Sequence, residues 1–286
     1  MDEICTPLSK CLCVAPGPVP PTLLEELERR SYDQTPVYDE ERKTYYGLAS
    51  VAHLRNLWQT GASLQTDDPE IREEKSEFRV GTYTTMYEIV NRLRCQSALV
   101  VIQESNSTEY GLATWVLGLL TLADLNRHAM RSALYRLFSE SETELARLIQ
   151  EKMPDPWDWI RLLGEENQVR VLGYWELAKR RDVDVGPLAT VTLTNLLQIV
   201  EKSNAMRSAF GYASRSKFGQ DSGKVPHFRN RIMHPVRPLV LGHEDVEELY
   251  SVMLFLEKLR DKALENLKEM KAQPEGPGYG SQARRT

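Results

Sequence analysis

The segment GLLTLADL, Gly118 to Leu125, decides how the first half of this chain is interpreted. Its apolar start is typical of a buried strand, and its Thr-x-x-Asp sequence is typical of the turn where a strand enters a helix. A related segment, GLASVAHL, stands earlier at Gly47 to Leu54. Glycine aligns with glycine, Ser50 aligns with Thr121, and leucine ends both segments. The pair therefore predicts an internal repeat.

The residues around both segments predict the same order of elements, helix, strand, strand, helix. The spacing from the helix start to the glycine is 25 positions in the first copy (Thr22 to Gly47) and 33 in the second (Thr85 to Gly118). We therefore expect an insertion of about eight residues, the difference of those spacings, around 109–116. In chain order, the segments that carry these predictions are Thr22–Leu27, Thr35–Asp39 and Tyr45–Leu54, then Thr85–Val90, Ala98–Ile102 and Gly118–Leu125.

This repeated unit resembles CBS domains, which pair in tandem as a Bateman module. The closest agreement is the pattern Gly-h-h-Thr-x-x-Asp-h, where h is an apolar residue, at Gly118 to Leu125. The resemblance implies an α+β pair of small sheets with flanking helices. It places the module at residues 1–130, with the first copy at about 13–60 and the second at about 78–130.

The resemblance also implies an adenine nucleotide (ATP, ADP or AMP) as a regulatory ligand, held by Gly118, Thr121 and Asp124. A carboxylate can accept hydrogen bonds from both ribose hydroxyls, and a hydroxyl at a helix N-terminus can join backbone N–H groups around a phosphate. The first copy has Ser50 and His53 at the matching positions, so we expect one nucleotide site. The alternative is that threonine and aspartate only cap a helix and the module is a dimerisation scaffold.

From Arg131 onward the apolar residues recur at helical spacing, which predicts an all-α helical bundle over 131–272. Pro187 is predicted to lie in the first turn of a helix that continues through Val200. Residues 273–286 contain prolines and glycines and predict a disordered tail.

Basic residues are concentrated between Lys202 and Arg237. Eight basic residues oppose only Asp221, which gives a local charge of +7 in a chain of −5. Such asymmetry favours a surface that faces phosphates, although a solvated basic loop has a similar composition. The basic residues are Lys202, Arg207, Arg215, Lys217, Lys224, Arg229, Arg231 and Arg237.

Within this segment, VPHFRNRIMHP at 225–235 contains Arg229, Asn230 and His234 in the order Arg-Asn-x3-His. This order resembles the R-x4-6-H signature of HEPN domains, which are helical bundles that dimerise so that two motifs line one groove. The resemblance implies metal-independent RNA cleavage. His234 is the expected general acid or base, Arg229 the phosphate ligand, and Asn230 the group that orients His234.

Three further residues, Arg215, Lys217 and Arg231, are expected to contact neighbouring RNA phosphates. His227 is a secondary catalytic candidate. In the alternative structural interpretation, Arg229 pairs with a carboxylate of the last helix, and His234 caps a helix that ends before Pro235.

The combined prediction is a homodimeric, metal-independent ribonuclease of HEPN type, controlled by adenine nucleotide in the CBS module. The competing class is a non-catalytic adenine-nucleotide sensor that binds a protein partner or RNA, and a weaker third option is a toxin component. No cofactor or metal is expected for catalysis.

Several other classes are excluded by missing signals. The chain has no apolar run of about 18 residues for a membrane span, and its first residues, Met1 to Glu3, lack the basic flank of a signal peptide. We therefore expect a soluble, cytoplasmic protein with reduced cysteines. The sequence contains no P-loop, Rossmann, HExxH or G-x-S-x-G motif, which disfavours kinases, dehydrogenases, metalloproteases and serine hydrolases.

Overall fold

The fold is mixed α/β, with small sheets towards the N-terminus and a helical C-terminal region. The insertion that the sequence predicts around 109–116 lies outside the described residues apart from Val116, and the predicted tail lies outside them entirely. The computed structural model describes residues 4–41, 44–71, 78–103 and 116–272. The backbone divides into two compact units, unit 1 (Met1–Ala133 with Pro235–Tyr250) and unit 2 (Leu134–His234 with Ser251–Thr286).

Unit 1 contains the strands and the first three helices of the described chain. The strands are β1 Thr6–Pro7, β2 Gly17–Pro18, β3 Gln34–Asp39, β4 Thr44–Ser50, β5 Ser63–Leu64, β6 Arg79–Gly81, β7 Ala98–Ile102 and β8 Val116–Thr121. The helices are α1 Pro21–Arg29, α2 Val51–Thr60 and α3 Met86–Leu93.

The strands of unit 1 form a four-stranded sheet in the order β1-β8-β7-β6 and two smaller pairs, β3-β4 and β2-β5. Strand β6 runs parallel to β7, and the other pairings of named strands are antiparallel. The central pairing sets Val100 opposite Leu119, and both side chains are buried. Residues 98–101 of β7 are all buried, so side chains on both faces of this strand are covered.

The internal repeat is visible in the backbone of unit 1. Val14 bridges in parallel to Val37 of β3 before α1, just as β6 pairs in parallel with β7 before α3. In both copies an antiparallel strand follows, and its last residue carries the hydroxyl at the N-cap of the next element. This residue is Ser50 in β4 and Thr121 in β8. The order helix, strand, strand, helix is therefore present in the first copy, whereas the second copy ends in a 3-10 turn at Leu122–Asn126 where a helix was expected.

Two of the apolar clusters in the described part of unit 1 show how its halves are packed. One cluster joins the two halves of the repeat, because Tyr45 and Leu48 of β4 pack with Val100 and Leu119 of the larger sheet. The other cluster lies within the first copy and contains Val14, Val19, Leu24, Leu27, Val37, Ala49, Val51, Leu54, Leu57, Leu64 and Ile71.

Unit 2 is helical, as the period of its apolar residues predicts. The large side chains of its core include Trp159, Phe210, Phe218 and Phe228, each almost fully buried. The two long helices are α4 His128–Lys152 and α11 His243–Ala272, and most of the residues of each belong to unit 2. The helices between them are α5 Pro156–Ile160, α6 Glu165–Arg180, α7 Leu193–Lys202, α8 Asn204–Ala209, α9 Arg215–Ser222 and α10 Val225–Met233.

Two helix starts differ from the sequence prediction. Helix α1 begins at Pro21 with Pro20 at its N-cap, so Thr22 is inside the helix and is not the cap. Pro187 begins a separate 3-10 turn, and α7 starts later, after Thr192, whose hydroxyl accepts a hydrogen bond from the Asn195 N–H. Proline occupies the first turn in both places. At α7 the capping hydroxyl of Thr192 sets the start of the longer helix.

Residues 235–250 join unit 1, although the sequence analysis places them in the helical region. The Asn126 side chain explains part of this attachment. Its amide donates to the carbonyl of Val240, and its carbonyl accepts from the N–H groups of Leu239 and Val240. A side chain that satisfies three backbone groups fixes a loop without regular secondary structure.

Candidate functional site

Helix α10 carries the Arg-Asn-x3-His motif and ends within it. His234 is the C-cap residue, and its N–H donates to the carbonyl of Asn230 over 3.1 Å. The helix therefore ends immediately before Pro235, as the sequence predicts. Phe228 and Ile232 are buried and fix one face of α10 against the core, whereas Asn230 and His234 are exposed.

Arg229 points in a different direction from His234 because five residues span about 140° around an ideal helix. Its side chain is half-buried, and Nη2 lies 3.9 Å from Oε2 of Glu142 on α4. This is an ion pair without a close hydrogen bond. The carboxylate thus comes from α4, whereas the alternative structural interpretation expected one from the last helix.

A shallow depression lies between α4 and α10 in unit 2, and we call it the α4–α10 depression. It has a volume of about 60 Å³ and is open to solvent at its mouth. Arg229 and Glu142 supply its charged groups. The remaining lining residues are Tyr135, Phe138, Ser139, Ile232 and Met233.

Glu142 is the functional candidate that sequence analysis missed. It stands 87 positions before Arg229 in the chain, so no local motif connects the two residues. The periodicity of α4 identifies its buried face through Phe138 and Leu145, and Glu142 lies between these positions at the border of that face. The sequence signal for Glu142 is a carboxylate at the border of the buried face of α4, and this signal does not identify Arg229 as its partner.

The three predicted RNA-contacting residues lie on two helices, Arg215 and Lys217 on α9 and Arg231 on α10. Arg215 pairs with Glu201 over 3.0 Å, and Lys217 pairs with Asp221 over 2.7 Å. Arg231 lies over the ring of Phe228, 5.8 Å from its centroid. Exposed ion pairs contribute about 0–1 kcal/mol, so Arg215 and Lys217 can exchange their carboxylate partners for phosphates at small cost.

Another residue of the basic segment is structural. Arg207 is buried, and its guanidinium donates to the backbone carbonyl of Glu201 and to Oδ1 of Asn204. The local charge that the sequence suggests is therefore larger than the charge available to a ligand. Glu201, which pairs with Arg215, stands one position before the counted segment.

The groups on α10 have the chemistry that phosphoryl transfer from RNA needs. A guanidinium binds phosphate oxygens through paired N–H donors, and an imidazole can take or give a proton near neutral pH. Within the described residues the imidazole of His234 makes no hydrogen bond or ion pair, so it is available to a ligand. His227, the secondary candidate, is also exposed, and its ring packs edge-on against Phe228.

The residues predicted to bind a nucleotide form an internal network in unit 1. Asp124 is 2% exposed and accepts hydrogen bonds from the Thr121 N–H (2.7 Å), the Thr121 hydroxyl (2.9 Å) and the Thr6 hydroxyl (3.2 Å). The guanidinium of Arg127 lies 2.7 Å from the same carboxylate. Thr121 and Asp124 form a reciprocal capping box, which is the alternative role that the sequence left open.

Gly118 has a packing role in the same region. It pairs with Pro7 of β1, and a Cβ atom on Gly118 would lie 2.2 Å from the carbonyl oxygen of Thr6. Only glycine permits this close approach of β1 to β8. The sequence analysis did not identify β1, because a two-residue strand has no periodic pattern.

The matching position in the first copy has a similar local structure. Ser50 accepts a hydrogen bond from the His53 N–H over 3.1 Å, and the His53 ring lies 3.0 Å from Oδ2 of Asp68. Ser50 thus caps α2 as Thr121 caps its own turn. The aligned hydroxyls have the same structural role in both copies.

A scan of the chain against models of protein families finds no match, and a search of curated proteins also finds none. Among the described residues, no three His, Cys, Asp or Glu side chains converge in an arrangement that could hold a metal ion. No helix in the described ranges is both long enough and apolar enough to span a membrane.

Proposed function

We propose that this protein is a metal-independent ribonuclease of HEPN type that acts at the C-terminal end of α10. One observation carries the proposal most directly. Arg229 is held half-buried in the α4–α10 depression, while the imidazole of His234, at the end of the same helix, is exposed. The reaction needs a phosphate ligand and a proton-transfer group, and α10 with its C-cap residue carries both, five positions apart.

In the proposed reaction the 2′-hydroxyl of one nucleotide attacks its own 3′-phosphorus. The hydroxyl proton leaves as the new P–O bond forms, and the bond from phosphorus to the 5′-oxygen of the next nucleotide breaks. That oxygen takes a proton, so the products are a 2′,3′-cyclic phosphate and a free 5′-hydroxyl. His234 transfers one of these protons, Arg229 neutralises charge on the phosphoryl oxygens, and Asn230 orients His234.

RNA outside the cleaved bond is proposed to bind through Arg215, Lys217 and Arg231. Their contacts are with phosphates, so they position the strand without reading its sequence. A homodimer is part of the proposal, because two copies of α10 could then supply one groove.

The proposal includes control of the ribonuclease by an adenine nucleotide (ATP, ADP or AMP), and binding of this nucleotide requires a change in the contacts of Asp124. A nucleotide that binds through Asp124 has to displace the Thr6 hydroxyl and the Arg127 guanidinium from that carboxylate. Such a ligand is therefore expected to loosen β1, which makes its binding detectable as a change in backbone hydrogen exchange at residues 4–10.

The proposed function is tested by cleavage of mixed end-labelled RNA in EDTA with the full chain. We expect the wild type to cut and His234→Ala to lose at least 100-fold in rate, which is the usual contribution of a general acid or base. His243→Ala is the matched control, since it removes an exposed imidazole that lies outside α10 and outside the α4–α10 depression. If wild type and His234→Ala cut equally, the proposal is wrong.

The second candidate is a protein that binds RNA without cutting it. The weakly paired Arg215 and Lys217 favour it, because they serve binding whether or not His234 reacts. In this case wild type binds RNA in a salt-dependent way, charge reversal at the two cations weakens binding, and His234→Ala changes nothing.

A further inference from the structure

We infer that the α4–α10 depression is a nucleobase subsite that accepts the edge of a base carrying an exocyclic amino group. Cytosine is the clearest example, since it differs from uracil by an amino group in place of a carbonyl oxygen. The inference rests on the proposed function for its biological meaning, but the subsite can be tested by binding alone.

The Glu142 carboxylate supports the subsite through its exposure and its distance from Arg229. Its side chain is 29% exposed, and its contact with Arg229 at 3.9 Å is longer than a hydrogen bond. A half-buried carboxylate can accept hydrogen bonds from a ligand that donates them. An amino group on a base is such a donor, and glutamate accepting from cytosine N4 is a known pairing between protein and nucleic acid. A uracil at the same place would bring its O4 oxygen towards the carboxylate.

The second argument is the aromatic surface at the mouth. Tyr135 lines the depression and is 52% exposed, and Met233 on the opposite helix is 45% exposed. An exposed aromatic ring is a stacking surface for a base. The volume of about 60 Å³ equals that of about two water molecules. The depression therefore accepts the amino edge, while the base ring stacks outside on Tyr135.

The third argument is the position of the depression beside the proposed reacting groups. Arg229 belongs both to its lining and to the motif, and Met233 directly precedes His234. A base held there brings its own phosphate towards Arg229. The depression thus determines which nucleotide stands next to the cleaved bond.

Two oligonucleotides that differ only in cytosine or uracil at one position test this inference. We expect wild type to cleave at cytosine at least fivefold faster, which corresponds to about 1 kcal/mol, the lower end of the range for a well-formed base contact. Glu142→Gln should bring the ratio close to one, because an amide can rotate to present either a donor or an acceptor. The ratio is the readout, since loss of the ion pair with Arg229 alone would slow both substrates equally.

Tyr135→Ala should slow cleavage of both oligonucleotides at least fivefold through the loss of stacking. Tyr174→Ala is the matched control, because Tyr174 is 55% exposed on α6 and lies outside the depression. Equal cleavage at cytosine and uracil in wild type and in Glu142→Gln contradicts the subsite but leaves the ribonuclease intact.

Binding separates the two proposals from each other. In His234→Ala, cytidine monophosphate should perturb the NMR signals of α4 and α10 and bind at least tenfold more tightly than uridine monophosphate. An RNA oligonucleotide run beside it shows whether the subsite needs a polymer. Selective binding of cytidine monophosphate without any cleavage by wild type contradicts the ribonuclease and supports the subsite, whereas equal binding of both nucleotides contradicts the subsite.

Discussion

Replacement of Asp124 by alanine distinguishes a structural carboxylate from a ligand-binding one. In the structure this carboxylate is 2% exposed and accepts from Thr121 twice and from Thr6 once, beside the Arg127 guanidinium. Hydrogen bonds to a charged group contribute about 1.5–3 kcal/mol each, and removal of one partner of a buried pair costs about 3–5 kcal/mol. Thr121 and Arg127 can turn partly to water after the change, so we expect a loss of about 3 kcal/mol.

For units of this size, about 3 kcal/mol corresponds to a fall in melting temperature of roughly 6–12 °C. Thermal unfolding followed by circular dichroism, without added nucleotide, measures this shift. Glu28→Ala is the control in the same unit, because Glu28 makes an exposed pair with Arg55 over 2.7 Å and should change stability by less than about 1 kcal/mol. An Asp124→Ala protein as stable as wild type would refute the structural role and favour a carboxylate kept for a ligand.

Three further predictions concern unit 1. Gly118→Ala should destabilise the protein by about 1–3 kcal/mol in chemical denaturation, because its Cβ would lie 2.2 Å from a backbone oxygen of β1; an unchanged midpoint contradicts that close approach. Asn126→Ala should cost about 2 kcal/mol by removing an acceptor from two backbone N–H groups, with faster hydrogen exchange at 239–240 as the readout; unchanged exchange there contradicts the attachment. Burial raises the pKa of Cys11 to about 11 and that of Cys13 to about 12. At pH 8 iodoacetamide should therefore modify the exposed Cys95 first. Mass spectrometry that finds Cys11 or Cys13 labelled first contradicts this prediction.

Among the strands of unit 1, β3, β4, β7 and β8 are predictable from sequence because they are long enough to show an apolar pattern, whereas the short strands β1, β2, β5 and β6 are not. The predicted strand at Ala98–Ile102 matches β7, and Thr35–Asp39 lies within β3. Helix α3 starts after Thr85, whose side chain accepts from the Glu88 N–H as expected for a capping threonine. These features depend on residues close together in the chain, which is the range over which periodicity and capping carry information.

What the sequence could not supply depends on residues far apart in the chain. The β1 strand and its contact with Gly118 join positions separated by more than a hundred residues, and the pairing of Glu142 with Arg229 has no local signal. The same holds for Asn126, whose hydrogen bonds attach residues 239–240 to unit 1. In the candidate site the motif on α10 was predictable, whereas the depression between α4 and α10 was not.

The central claim is that Arg229 and His234 carry out cleavage through the 2′-hydroxyl, and the most direct measurement is the chemistry of the product ends. Mass spectrometry of a short RNA treated in EDTA with wild type and with His234→Ala gives this result. We expect 5′ fragments that end in a 2′,3′-cyclic phosphate and 3′ fragments that begin with a free 5′-hydroxyl, formed by wild type and lost in the variant. Intact RNA, or fragments that carry a 5′-phosphate, would contradict it.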